Sequence, residues 1–215
     1  MDKQFTKEEV ASKVLEQYDE EQTRIFYTYV MGGGGNDIHF GIYRDPTDGV
    51  KESANRTTEW MMTQLDMAKE ITKDMHVLDV GSGHGGGSHA MAKKFGCKVT
   101  GINIGPGQNA MNLAKAKELK LDHLVDAVVG NINDPLPEEW TGKFDAIWSC
   151  EVLCHAGDKL ALFKDLYRCL KPGGAFVFSD ICGADGADEK ALKAFTDRNA
   201  TTFMGRPSQY IEYIK

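Results

Sequence analysis

The sequence predicts an α/β fold in which helices cover both faces of a doubly wound parallel sheet. A short apolar run at residues 77–80 passes into a glycine-rich loop and then into a helical pattern. Four more strand-like runs follow, separated by segments of helical length, which is the alternation typical of a parallel sheet. With 215 residues, 41% of them hydrophobic, the chain is long enough for one well-buried domain and a smaller appendage.

The first third of the chain, residues 1–72, is expected to supply helices and a lid. Thr6 and Glu9 have capping-box spacing and precede apolar residues at helical intervals. The run of four glycines at residues 32–35 is incompatible with a stable helix or strand and predicts a mobile hinge or lid. Another helix is expected at about residues 50–71. We therefore expect the N-terminal helices to cap the core.

Residues 73–182 are predicted to form the core of the fold. Pro106 can begin a helix that ends near residue 119, and Asp158 can cap a helix that ends near residue 170. Ligands bind such sheets at the carboxyl ends of the strands. The strands are expected at residues 77–80, 98–104, 125–131, 144–150 and 175–180.

The last segment, residues 183–215, is predicted to be the incomplete start of a substrate-binding helical part. Residues 187–200 and 208–215 have helical patterns, and no further strand is visible. The fifth strand would then lie at an exposed sheet edge, which is a recognised route to association.

Composition limits the partners and the compartment. The formal net charge of -7 argues against nonspecific binding to nucleic acid or to an anionic membrane. No apolar run approaches the roughly 20 residues that span a bilayer, and the first residues lack a signal-peptide pattern. Five cysteines without regular spacing suit a reducing compartment, so we expect a cytoplasmic protein. Cys150, Cys154 and His155 lack a second ligand pair, so no metal site is expected.

The glycine loop predicts the class of ligand. Gly81-x-Gly83-x-x-Gly86 matches a dinucleotide-binding fingerprint. However, Asp79 lies at the end of the preceding strand, where its carboxylate would repel a pyrophosphate. The loop also contains no Lys or Arg to bind a phosphate. A carboxylate in this place would attract the sulfonium and ammonium of S-adenosylmethionine, so we predict a methyl-donor site.

Four segments resemble class I S-adenosylmethionine-dependent methyltransferases in order and spacing: residues 77–83, 101–104, 144–149 and 168–174. Residues 24–27, 36–43 and 104–109 resemble the subgroup that makes glycine betaine from sarcosine and dimethylglycine, and phosphoethanolamine methyltransferases share a similar outline. The resemblance implies a Rossmann-like fold, S-adenosylmethionine as cofactor and methylation of a small amine.

The same resemblance implies two more strands after the fifth, one of them antiparallel, and this sequence lacks them. Either the chain is a truncated form of a longer enzyme, or another chain completes the sheet. Two alternatives to amine methylation also remain open. One is methylation of an apolar carbon or oxygen acceptor, and the other is a cofactor-binding module that needs a partner chain.

Ten residues are expected around the cofactor. Asn103 and Ile104 would hold the ribose and adenine, with Gln108 nearby, and Asn131 and the Ile132 N–H would contact the adenine edge. Both asparagines stand where many family members have an acid, and they supply hydrogen bonds without charge. His39 follows from the resemblance alone. The full set is His39, Asp79, Gly81, Gly83, Asn103, Ile104, Gln108, Asn131, Ile132 and Cys150.

His155 follows the fourth strand closely and is the best candidate for the base that removes the amine proton. The resemblance to phosphoethanolamine methyltransferases implies that it pairs with Tyr27. Other candidates are Glu151 for a substrate cation and Arg206 for a substrate carboxylate. Aromatic rings that could surround a developing ammonium are Tyr27, Tyr43 and Trp148.

Overall fold

The fold is a five-stranded parallel sheet in the order β3-β2-β1-β4-β5. The computed structural model describes residues 6–198, 201 and 204–215. This order and register confirm the predicted doubly wound, Rossmann-like sheet, with its switch point between β1 and β4. The strands are β1 (His76–Val80), β2 (Lys98–Asn103), β3 (Val125–Val129), β4 (Phe144–Cys150) and β5 (Leu170–Ser179).

Each predicted strand is present, and only the start of β5 differs clearly from expectation. Pairing begins at Leu170 opposite Phe144, before an irregularity in register, whereas the sequence predicted a start at residue 175. The sequence predicted the later start because Pro and Gly, which occupy residues 172–174, are uncommon in strands. Within the described residues β5 pairs with β4 alone, so its other side is a sheet edge.

Eight α-helices surround the sheet in the described part of the chain. They are α1 (Lys7–Tyr18), α2 (Glu21–Phe26), α3 (Val50–Ala68), α4 (Gly86–Phe95), α5 (Pro106–Glu118), α6 (Lys159–Cys169), α7 (Glu189–Arg198) and α8 (Pro207–Ile214). A π-helical turn, Tyr27–Met31, continues α2 into the glycine run, and a short 3-10 turn, Leu153–His155, follows β4. Residues 199 and 200, the end of one predicted helix, lie outside the described residues.

The predicted helix starts are confirmed by their hydrogen bonds. Thr6 Oγ1 accepts from Glu9 N while Glu9 Oε2 accepts from Thr6 N, which is a complete capping box. Asp158 Oδ1 accepts from Ala161 N at the start of α6. Pro106 occupies the first turn of α5, where its missing N–H costs nothing. These local signals needed no tertiary information.

The core consists of two apolar clusters, one on each face of the sheet. Val77 and Leu78 are adjacent in β1, and both are fully buried because successive strand residues point to opposite faces. Each such side chain stabilises the fold by about 1.5–3 kcal/mol. Met61 and Leu65 of α3 belong to the cluster around Val77, so α3 packs directly on the sheet. No helix in the described ranges is long and apolar enough to cross a membrane.

Candidate active site

A cavity of about 460 Å³ opens at the carboxyl ends of β1, β2 and β4, where a doubly wound sheet binds its ligands. The residues after these strands form its floor. The helix α1, the π-helical turn and residues 36–40 cover it, and α7 lies at one side. The cavity brings together all twelve residues that the sequence placed in the site: Tyr27, His39, Asp79, Gly81, Gly83, Asn103, Ile104, Gln108, Asn131, Ile132, Cys150 and His155.

The glycine loop needs glycine for both backbone conformation and close packing. Gly81 has φ +74°, and a Cβ there would overlap the side chain of Val152. A Cβ at Gly86, the first residue of α4, would overlap the carboxylate of Asp37. The loop therefore lies directly against the segment of residues 36–41, which we call the roof segment.

Asp79 is a buried carboxylate at the end of β1, with 3% of its surface exposed. Its Oδ2 accepts a hydrogen bond from Ser88 Oγ at 2.6 Å. Burial raises the pKa of Asp79 from 3.8 to about 6, although the hydrogen bond from Ser88 opposes this rise, and nearby Asp37 raises the pKa further. A cationic ligand would relieve the cost of ionising this carboxylate.

The roof segment contributes a second carboxylate and a cation. His39 Nε2 lies 3.5 Å from Asp37 Oδ1 and 3.0 Å from Thr58 Oγ1. Burial alone would lower the pKa of His39, but its hydrogen bonds to Asp37 and Cys150 outweigh burial and raise the pKa to about 11. His39 is therefore an imidazolium at neutral pH. Asp37 was missed as a site residue, although it lies inside the segment that carried the family resemblance.

These charges fit S-adenosylmethionine. Its methionine end carries two positive groups, the sulfonium and the ammonium, and one negative carboxylate. The cavity lining includes the carboxylates of Asp37, Asp79 and Glu151 and two cations, the imidazolium of His39 and the guanidinium of Arg198. Asp37 Oδ1 is buried, and its contact with His39 Nε2 is long, at 3.5 Å, so this oxygen can still accept from a ligand donor. The donor set therefore matches the cofactor that the sequence predicted.

Glu151 fixes the roof segment to the end of β4. Its two carboxylate oxygens each lie 3.1 Å from Phe40 N and accept from it. Glu151 has φ +57°, a strained conformation for a residue with a side chain, and such strain is typical of functional sites. Burial raises the pKa of Glu151, while the hydrogen bond from Phe40 opposes the rise. The carboxylate that was expected to hold a substrate cation thus serves first to position the roof.

Gln108 and Asn103 connect the cofactor site to the N-terminal helices. Asn103 Nδ2 donates to Gln108 Oε1 at 2.9 Å. The carboxylate of Asp19 accepts from Gly107 N at 3.2 Å and from Gln108 N at 2.8 Å, so it caps the first turn of α5. Arg24 donates to the backbone carbonyl of Asp19. The N-terminal helices are therefore docked on α5, through a residue that the sequence analysis did not single out.

Asn131 lines the cavity, but its side chain is committed elsewhere. Its Oδ1 accepts from Asn133 N at 3.0 Å and from Asn133 Nδ2 at 3.3 Å. The carbonyl of Asn131 is thus engaged within the turn that follows β3, while the residue stays at the cavity where the adenine edge was expected. The turn after β3 decides this orientation, and residue type alone could not show it.

The predicted pairing of Tyr27 with His155 is replaced by an indirect one. The ring of Tyr18 lies between them, 4.7 Å from the ring of Tyr27 and 5.8 Å, edge-on, from the imidazole of His155. Tyr27 Oη accepts instead from Gln17 Nε2 at 2.9 Å. Burial raises the pKa of Tyr18 far above its ordinary value, so this phenol stays neutral. Tyr18 was missed because only the packing of α1 brings it to the cavity.

Three other candidates have different positions from those expected. Tyr43 is 51% exposed and does not line the cavity. Trp148 lines the cavity but is buried in the core cluster around Val77. Arg206 donates to the carbonyls of Ala184 and Ala187 and to the carboxylate of Glu189, so it braces the C-terminal segment.

Among the residues that the structure describes, Arg198 of α7 is the only Lys or Arg that lines the cavity. Sequence patterns gave no signal for it, because it lies on an exposed helix whose position depends on tertiary packing. The described residues contain no group of three or more His, Cys, Asp or Glu side chains arranged for a metal ion.

Comparison with known proteins gives consistent results. Residues 78–178 match the model of a family described as a methyltransferase domain. A sarcosine/dimethylglycine N-methyltransferase of Halorhodospira halochloris is 31% identical over 198 residues, covering 92% of this chain and 68% of that protein. A glycine/sarcosine/dimethylglycine N-methyltransferase of Actinopolyspora halophila is 32% identical over 193 residues, covering 90% of this chain and 33% of that protein.

The crystal structure of a proposed sarcosine dimethylglycine methyltransferase from Galdieria sulphuraria has the same fold. It superimposes with a TM-score of 0.82 at 31% identity, over 91% of this chain and 71% of that one. The strand order, the charge pattern of the cavity and these similarities lead to one conclusion. The chain belongs to the class I S-adenosylmethionine-dependent methyltransferases.

Proposed function

We propose that this enzyme methylates the nitrogen of a small amino acid, with sarcosine or dimethylglycine as acceptor and glycine betaine as the end product. The named relatives act on such acceptors. One observation carries the proposal: the cavity combines the rings of Tyr18 and Tyr27 with the guanidinium of Arg198. Aromatic faces attract an ammonium, and a guanidinium pairs with a carboxylate, so the set complements a methylated glycine.

Methyl transfer to an amine needs alignment more than a strong nucleophile. When bound, S-adenosylmethionine supplies an activated methyl group on a sulfonium for in-line displacement by the amine nitrogen. The amine must first lose its proton, and we propose that His155 accepts it, because His155 is buried at the cavity wall. Tyr18 and Tyr27 would then stabilise the cationic nitrogen that forms, each by roughly 0.5–2 kcal/mol.

A second candidate is methylation of an apolar carbon or oxygen acceptor. The observation that favours it is the apolar part of the cavity wall, formed by Val10 and Val14 of α1 and Phe195 of α7. Such an acceptor would not require Arg198. Dependence of turnover on this arginine therefore distinguishes the two candidates.

The proposal also includes a cytoplasmic location and no nucleic-acid or membrane partner. It is supported by the net charge of -7 and by five cysteines that are all free thiols in the structure. Self-association, or a partner chain at the edge of β5, belongs to the same proposal. Size measurement in solution at several protein concentrations tests this last part.

The activity is tested with S-adenosylmethionine labelled in its methyl group and a panel of acceptors: glycine, sarcosine, dimethylglycine, phosphoethanolamine and an apolar phenol. We expect transfer to sarcosine or dimethylglycine, and a rise of about 10-fold or more in KM for Arg198→Ala, the loss of one charged hydrogen-bonded pair. Arg44→Ala, which removes an exposed arginine outside the cavity, is the matched control. Transfer to the phenol alone would refute the proposal, and cofactor binding without any transfer would favour a binding module.

A further inference from the structure

The 3-10 turn Leu153–His155 is held by side chains from outside the turn. Cys154 N donates to Asp180 Oδ1 at 3.0 Å, and the Cys154 carbonyl accepts from Thr201. A turn of three residues makes few hydrogen bonds of its own, so its backbone depends on such external partners. The position of His155 therefore depends on residues that are distant from it in the sequence.

Lys159 contributes two of these external hydrogen bonds. Its Nζ donates to Ala156 O at 2.8 Å and to Cys154 O at 3.5 Å, the carbonyls on either side of His155. Only 1% of Lys159 is exposed, although lysine is among the residues least often buried. Burying an amine is costly unless its hydrogen bonds are satisfied. The Lys159 amine donates to the carbonyls before and after His155 and so links the backbone on both sides of this residue.

Asn133 holds the same backbone through two more hydrogen bonds. Its Nδ2 donates to His155 O at 3.1 Å, and its Oδ1 accepts from Gly157 N at 2.7 Å. Asn133 is itself fixed by Asn131, whose Oδ1 accepts from the backbone N–H of Asn133. A continuous series of hydrogen bonds thus joins the turn after β3, in the cofactor part of the cavity, to the backbone of His155.

We propose that Asn133 and Lys159 are positioning residues for methyl transfer, which hold the imidazole of His155 at the acceptor end of the cavity. Neither side chain needs to touch the reacting atoms. The inference rests on the proposed function in one respect, which is that His155 is the group that accepts the proton of the amine. Because a displacement of about 1 Å at a reacting group can cost about 100-fold in rate, loss of either side chain should lower kcat.

The first test compares Lys159→Met with Lys164→Met, which removes an exposed lysine from the same helix. We expect kcat to fall by about 10- to 100-fold in Lys159→Met while the Kd for S-adenosylhomocysteine changes by less than about 2-fold, because the cofactor contacts are intact. Lys164→Met should match the wild type. An unchanged kcat in folded Lys159→Met would overturn the role of this lysine.

The second test keeps the inference open to refutation if Lys159→Met does not fold. Asn133→Ala removes the side-chain hydrogen bonds with His155 O, Gly157 N and Asn131 Oδ1, and the backbone N–H of residue 133 still donates to Asn131. Asn133→Asp keeps the acceptor for Gly157 N and loses the donor to His155 O. Both variants should lower kcat without weakening cofactor binding. Asn55→Ala, at an exposed position of α3, is the control. Parallel losses of kcat and of cofactor affinity would mean a general structural role and would overturn the proposal.

A third measurement needs no acceptor. In protein labelled with ¹⁵N-histidine and bound to S-adenosylhomocysteine, the imidazole resonances of His155 are identified by their disappearance in His155→Gln. They should shift in the Asn133 and Lys159 variants and stay fixed in the two controls. If no acceptor is turned over but these resonances shift, the proposed substrate is wrong and the positioning is supported. Resonances that stay fixed in the Asn133 and Lys159 variants would overturn the positioning whatever the substrate.

Discussion

Asp79→Asn should make the unliganded protein more stable at neutral pH while weakening its binding of S-adenosylmethionine. The amide has nearly the shape of the carboxylate, and its oxygen can still accept from Ser88 Oγ. The substitution therefore removes the buried charge with little change in packing. A gain in stability combined with a loss of binding is the signature of a residue retained for function.

The size of the stability gain follows from the pKa of Asp79, which is 3.8 in an ordinary setting and about 6 in the fold. Two units correspond to about 3 kcal/mol, since each pKa unit is worth 1.36 kcal/mol. A raised pKa in a carboxyl group means that the folded state binds the proton more tightly than the unfolded state. Stability is therefore lost as pH rises from about 4 to about 6, and the full cost is present at pH 7.

Urea denaturation followed by circular dichroism at pH 4, 5.5 and 7 measures this effect. We expect Asp79→Asn to exceed the wild type by up to about 3 kcal/mol at pH 7 and by little at pH 4. Asp74→Asn, at an exposed position, should leave stability unchanged at every pH. An Asp79→Asn variant that is less stable than the wild type at pH 7 would refute the reasoning.

Calorimetric titration measures the effect of the same variant on binding. The loss of affinity should be larger for S-adenosylmethionine than for S-adenosylhomocysteine, because only the former carries a sulfonium. A charged interaction of this kind is worth about 1.5–3 kcal/mol, or about 10- to 150-fold in Kd. Equal losses for the two ligands would show that Asp79 recognises the ammonium alone.

Two further predictions concern the glycine loop and the N-terminal helices. Gly81→Ala should destabilise the protein by about 2 kcal/mol or more in urea denaturation, because residue 81 has a positive φ and a Cβ there would overlap Val152. Adding Val152→Ala to this variant should restore only part of the lost stability. Full recovery would mean that the positive φ contributes nothing to the loss. Asp19→Ala should weaken S-adenosylhomocysteine binding by about 3- to 30-fold, the value of an anion at a helix N-terminus, and should speed tryptic cleavage near Arg24. Glu20→Ala should do neither, and equal effects of the two variants would exclude a specific cap.

Local sequence signals determined much of the fold. The five strands, the glycine loop and the helix caps at Thr6, Pro106 and Asp158 were predictable because period, turn chemistry and capping act over a few residues. The cofactor was predictable for the same reason, since the position of Asp79 before the loop already fixes the sign of charge at the strand end. Among the strands of the described residues, the early start of β5 escaped this kind of reasoning, as did the π-helical turn and the 3-10 turn among the helical elements.

Only the tertiary structure decided which side chains meet in the site. It brought Asp19 to α5 across 88 residues and Glu151 to Phe40 across 111, placed Tyr18 between Tyr27 and His155, and gave the cavity Arg198 instead of Arg206. It also engaged the carbonyl of Asn131 in a hydrogen bond from Asn133 N. Residue spacing carries information about neighbours along one helix or strand, whereas contacts between distant segments and the rotamers that make them are fixed by close packing of the whole chain.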